Sequence, residues 1–231
     1  MSELVFEKKH LLRWMLVTVA VLTVLHVGQL GVYYWINNPA VFDFVDLLDF
    51  DVEGNLPTLY SSLALLIAAT FAGLNWKQSR FEQPSDSKYW LGLMVLLIYM
   101  GLDEGAAIHE KVGVYVASLS LFEAKGYFLF SWVVPYGLAA LVIAVLYLRF
   151  VFSLRPTIRN GLMISGVLFL LGAFGIEMLS ANVASKLGLA ALNYSILYTI
   201  EELCEMLSII LLISTLFKQL SSNGVIRLRF N

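Results

Sequence analysis

A single cysteine, Cys204, is all the thiol this 231-residue chain has, which excludes an internal disulfide and any thiolate metal cluster. Charge is scarce as well. Only 14% of residues are Asp, Glu, Lys or Arg and the net charge is −2, so nothing argues for a nucleic-acid partner. The three histidines are too few for a three-histidine zinc hydrolase site, since His10 precedes the first apolar run and only His26 and His109 lie at depth. A four-helix di-iron template asks for two Glu-x-x-His pairs, and no apolar run carries one. No internal repeat is evident.

Apolar residues are plentiful. They make up 59% of the chain, with a mean hydropathy of +0.79, more than a soluble domain of this length could bury. Six stretches are long enough to span a bilayer as helices: about 11–35, 57–76, 89–114, 127–150, 161–182 and 193–217. One all-α membrane domain of six transmembrane helices accounts for 1–231. The first stretch is too long for a signal-peptide core and no small-residue cleavage site follows it, so it reads as a retained anchor. Residues 39–56 read as an acidic amphipathic helix lying on the outer surface. Within it, Asp49-Phe-Asp51-Val-Glu53-Gly54 imitates half a calcium loop, but the twelfth position is Tyr60.

Lysine and arginine set the direction. Twelve fall before span one, between two and three, between four and five, or after six, against Lys111, Lys125 and Lys186 on the other side. The positive-inside rule then puts both termini in the cytoplasm. The tail VIRLRFN, with Arg227 and Arg229, reads as lying on the cytoplasmic face.

Direction gives depth to seven carboxylates: Asp103, Glu104 and Glu110 in span three, Glu177 in span five, and Glu201, Glu202 and Glu205 in span six. Asp103 sits roughly 22 Å above the inner face, Glu201 roughly 12 Å and Glu205 roughly 18 Å below the outer one. All seven thus share the outer half. An ionised acid at the bilayer centre costs about 2.5–3.5 kcal/mol, so this cluster is protonated, bound to cations, or both.

Helical faces sort the acids further. Tyr194, Tyr198, Glu201, Glu205 and Ser208 form one stripe, with Glu202 beside it. Gly166, Ala173, Glu177, Ser180 and Ala184 form a small-residue face, so spans five and six are expected to face each other. On span three Asp103 and Glu110 share a face that Glu104 and His109 do not, which predicts a distortion near Gly101 and Gly105 unless two of the four serve other partners.

Oxygen-rich ligands with one imidazole suit a divalent metal such as Fe, Mn or Zn. In that reading Glu104, His109, Glu177, Glu201 and Glu205 hold the ion. Glu110 or Glu202 acts as general base, and Asp103, His26 and Tyr198 stand behind the ligands. The function that follows is a metal-dependent membrane enzyme on a lipid-soluble substrate. Two alternatives stay open: a non-catalytic subunit or assembly factor of a membrane complex, with the acids as protonated glue, and a cation- or proton-coupled carrier. The glutamyl-protease start EExxxR is not met, because Met206 stands at the arginine position.

The motifs LDE-x4-HE, IEML and EExxEML, with Trp132 and Pro135 between them, are together similar to a family of uncharacterised bacterial multi-pass membrane proteins. The resemblance covers roughly residues 95–215. That family has no established activity, so the resemblance implies the fold and the site but no reaction.

Overall fold

The computed structural model describes residues 2–36, 46–221 and 224–230, and every long apolar stretch in it is helical. In chain order the elements are β1 (Ser2–Glu7), α1 (Lys8–Ile36), α2 (Leu56–Glu82), α3 (Pro84–Ala106), α4 (Ile108–Ser118), α5 (Val133–Ser153), α6 (Pro156–Leu170), a π-helical turn (Leu171–Ile176), α7 (Glu177–Leu187), α8 (Leu192–Leu220) and β2 (Val225–Phe230). Pro57, Pro84 and Pro156 each fall in the first turn of a helix, where a missing N–H is no loss.

Five helices are long and apolar enough to cross a membrane: Lys8–Trp35, Leu56–Glu82, Pro84–Ala106, Val133–Ser153 and the continuous Pro156–Leu187. The 29-residue α8, which carries Glu201, Glu202 and Glu205, is not among them. It is nevertheless the centre of the bundle, packing against α1, α2, α6, the π turn and α7. Small residues on α2 (Ala64, Ala68, Ala69 and Ala72) share one buried cluster with Ile209, Ile213 and Leu216 of α8. Small side chains let helices approach closely. The amide of Asn75 then reaches across, its Nδ2 donating to the Leu216 carbonyl at 3.1 Å.

The fold is all-α, as expected. Its termini add a short antiparallel pair, in which β1 and β2 run from Ser2 opposite Phe230 to Glu7 opposite Val225. The tail thus pairs its extended N–H and C=O groups with the other terminus. One expectation needs correction: residues 47–55 do not form a surface helix. They run in turns and bends with Phe50 buried, while 39–45 of that expected segment lie outside the described residues.

α5 is attached mainly by its ends. Only Val133 and Phe150 are buried along it. At one end Phe150 stacks on Tyr89 at 4.7 Å and the Tyr147 hydroxyl donates to the Tyr89 carbonyl at 2.9 Å. At the other end Trp132 and Tyr136 bind carboxylates. Between these pins the helix stands away from α3, α6 and α8, leaving a cavity of about 810 Å³.

Candidate functional site: a carboxylate-headed cavity

The expected third span is divided at Ala107, which takes a left-handed conformation (φ 51°, ψ 45°) between α3 and α4. Six residues along a straight helix leave side chains about 120° apart. The break swings α4 so that His109 Nδ1 comes within 3.0 Å of Asp103 Oδ2. Gly101 and Gly105, where distortion was expected, do different work. A Cβ on either would stand 3.2 Å from Ser62, so they let α2 press against α3, and Ser62 Oγ donates to the Gly101 carbonyl at 2.6 Å.

A hydrogen-bonded chain starts from this break. Tyr136 donates to Asp103 Oδ1 at 2.7 Å, and the Tyr99 hydroxyl lies 2.7 Å behind it. On the other side His109 Nε2 faces Glu53 Oε1 at 3.1 Å. An imidazole that satisfies carboxylates at both nitrogens does so as the imidazolium, with two donors and no free lone pair. In this arrangement His109 clamps Asp103 to the 47–55 segment, with a carboxylate at each of its nitrogens.

On the facing wall, the π turn delivers Glu177. Such one-residue expansions re-aim the side chains that follow them. Trp132 Nε1 donates to Glu177 Oε1 at 3.2 Å, and the Glu177 carboxyl lies beside that of Glu201 on α8. Spans five and six do meet here, as expected from their faces, and closest at Gly172, where a Cβ would stand 3.0 Å from both the Glu201 carbonyl and Glu205 Cγ.

Glu104, Glu177, Glu201, Glu202 and Glu205 all line the polar end of the cavity, together with Asp103, His109, Tyr194 and Tyr198. Electrostatic contact joins Glu202 to Glu104, Glu205 and Glu177, and Glu205 to Glu104 and Glu177. No lysine or arginine is among the lining residues. Glu201 is only 8% exposed, and its Oε2 has no hydrogen-bond partner among the described residues. Among those residues, no three His, Cys, Asp or Glu side chains are arranged to hold a metal ion as they stand.

Two predicted residues stand apart from the acid cluster. Glu110 lines the cavity only at its mouth, exposed, beside a shallower hollow lined by Asp51, Glu53 and Ala107. His26 does not line the cavity. Fully buried, it stacks on Phe50 at 4.2 Å, accepts the Phe50 N–H at Nδ1 and lies 2.9 Å from Thr199 Oγ1 at Nε2. It anchors the 47–55 segment instead.

Asp51 and Glu53 are the additions that sequence reasoning missed, because the false calcium loop drew attention to their spacing and not to their reach. Tyr194 donates to Asp51 Oδ1 at 2.5 Å. Loss of water around the Asp51 carboxyl pushes its pKa up to about 6, with Asp49, Glu177 and Glu110 adding to the rise and the Tyr194 hydroxyl opposing it.

Long apolar helices enclosing an acid-headed cavity define the class: an α-helical membrane protein. Within that class the chain belongs to a family known by its domain of unknown function, DUF8692, whose model matches residues 14–220. The match takes in α1 and α2, which bring no motif of their own. No curated protein and no solved structure matches the chain.

Proposed function

We propose that this is a six-span protein of a bacterial cytoplasmic membrane, with both termini inside, that uses a carboxylate-held divalent ion to act on a lipid-soluble substrate. The pairing of β1 with β2 supports the span count, since both ends of an antiparallel pair lie on one face and the chain then crosses an even number of times. With five other crossings, α8 is the sixth. The excess of Lys and Arg on the side of the termini supports the orientation.

The observation that carries the metal reading is the convergence of Glu104, Glu177, Glu201, Glu202 and Glu205 on one cavity end with no lysine or arginine beside them and with Glu201 Oε2 unpartnered. Divalent ions offset acids that nothing else in the cavity neutralises. Glu104, Glu177, Glu201 and Glu205 are the residues that would hold the ion. In this reading His109, facing Asp103 and Glu53, positions the wall in place of holding the ion. Glu202, inside the cluster, suits the general-base role better than the exposed Glu110. A bound ion would supply Lewis-acid activation of water or dioxygen in a water-poor chamber.

One observation favours a second reading. The Glu177 and Glu201 carboxyls lie side by side, the arrangement that protonated glue locking α7 to α8 in a non-catalytic subunit would use. The carrier reading has less behind it. Below Glu205 the lining is Ile209, Leu212 and Leu162, and Ser208 and Ser165 donate to their own helix carbonyls. Elemental analysis of purified protein, with thermal stability measured with and without chelator in wild type and Glu201→Gln, separates the first two. The enzyme reading expects near-stoichiometric metal, a chelator-sensitive wild type and sharply weaker binding in the variant. A metal-free, chelator-insensitive wild type matched by a stable Glu201→Gln would give the subunit reading its place.

A further inference from the structure

Away from the acids, the cavity changes character. Its lower wall is built from Leu97 and Met100 of α3, Ala140 and Ala144 of α5, Gly166 of α6 and Leu212 of α8. A Cβ placed on Gly166 meets nothing within 4 Å, so α6 faces open space at that point. The small side chains of α5 keep the facing wall thin. From Tyr136 at the polar end to Tyr147 at the foot the chamber is roughly 16 Å deep, about half the ~30 Å hydrocarbon thickness of a bilayer.

The polar end has a marked bias. Among the described residues nine carboxyls line the cavity, and His109 is the one side chain with them that can carry positive charge. One or two divalent ions still leave acid in excess. A phosphate or carboxylate head would meet acceptors and negative charge at every approach, whereas a hydroxyl or an amine finds acceptors for each of its hydrogens.

From this geometry we infer that the chamber takes a long-chain amphiphile with a donor-bearing, non-anionic head, an alcohol or an amine. Its chain lies between α5 and α6, and its head rests against Glu201, Glu202 and Glu205. This rests on the reading of the site as a chamber for a lipid-soluble substrate, and it names the substrate's class. The occupant comes from the bilayer itself, past the middle of α5, where no residue between Val133 and Phe150 is buried against the bundle.

The test uses full-length protein in phosphatidylcholine nanodiscs with three diazirine-bearing probes of equal chain length: a hexadecanol, a hexadecylamine and a hexadecanoate. Mass spectrometry reads covalent labelling of α5 and α6 peptides. The alcohol and amine probes are expected to label these peptides and the carboxylate probe to fail. Gly166→Phe and, independently, Ala144→Phe fill the chamber and are expected to cut labelling by about tenfold, equivalent to about 1.4 kcal/mol of binding, with metal content unchanged. Equal labelling by the carboxylate probe overturns the inference, and so does wild-type labelling in both filled variants. The probe comparison needs no variant at all. A wild type that labels as expected but holds no metal would sink the metal reading and leave the chamber standing.

Discussion

At the end of the bundle that carries the paired termini, α2 and α8 pack Ala68, Ala72, Ile213 and Leu216 through unbroken helix. At the acid-bearing end, α3 stops at Ala107, the α6–α7 helix passes through a π turn, and residues 47–55 run in turns against the site. The contrast follows from where polar groups can be satisfied. In an apolar surround each N–H and C=O needs its own helix, so irregular backbone is affordable only beside other polar groups. Carboxylates, tyrosines and a histidine make the acid-bearing end such a place. Regular helix packs and broken helix aims.

The largest expected effect comes from exchanging the character of the two ends. Ile213 is fully buried, and Ile213→Asp should cost about 3 kcal/mol or more, read as loss of monodisperse protein after mild heating. The converse exchange, Glu201→Leu, should leave metal-free protein within about 1 kcal/mol of wild type, because apolar replacement of a buried acid removes its desolvation cost. Equal damage from both would break the comparison.

A pair of glycines on one continuous helix gives the intermediate effect. Gly172→Val drives a side chain into the Glu201 carbonyl and Glu205 Cγ, and should cost about 1–3 kcal/mol in thermal or denaturant melts. Gly166→Ala projects into open space and should be neutral or gain up to about 1 kcal/mol from helix propensity. Similar outcomes at both would mean that the chamber wall is closed.

The smallest effect is one of pH. The Asp51 carboxyl binds its proton more tightly folded than unfolded, with a pKa raised from 3.8 to about 6. Its contribution to stability is therefore full below about pH 4, falls as pH rises towards 6, and stays flat beyond. Asp51→Asn should remove that decline, so the difference in melting temperature between wild type and variant should change across this window and nowhere above it. Asp51 keeps an exposed side, which makes the change small. A constant difference from pH 4 to 7 would show that its carboxyl is freely hydrated.

Hydropathy is a one-dimensional property, and what depends on it was legible. The helices over 57–76 and 193–217 appear at Leu56–Glu82 and Leu192–Leu220, each running a few residues into the flanking polar sequence. The stripe of Tyr194, Tyr198, Glu201 and Glu205 was readable too, because a regular helix converts spacing into direction, and all four line the cavity. His109 was readable as a participant but not in its role. Its partners Asp103 and Glu53 lie across a left-handed residue and in a separate segment, and no periodicity reports either. His26 was legible by depth, and it lies behind Tyr198 with ring centroids 5.7 Å apart, but its stacking on Phe50 was not, because no periodicity reports a partner in a separate segment.

By itself the sequence determined that the chain is helical and lipid-embedded, and that its acids lie in one slab, since composition and helical rise decide these things residue by residue. Only the tertiary structure decided that Ala107 would break α3, that Asp51 and Glu53 would reach over the site, and that α5 would stand off to leave a chamber. These depend on balances between distant groups: a strained φ against a His109–Asp103 bond, and loose packing of one helix against firm pins at its two ends. No local pattern encodes such balances, because each is settled by a partner that the chain reaches only after it has folded.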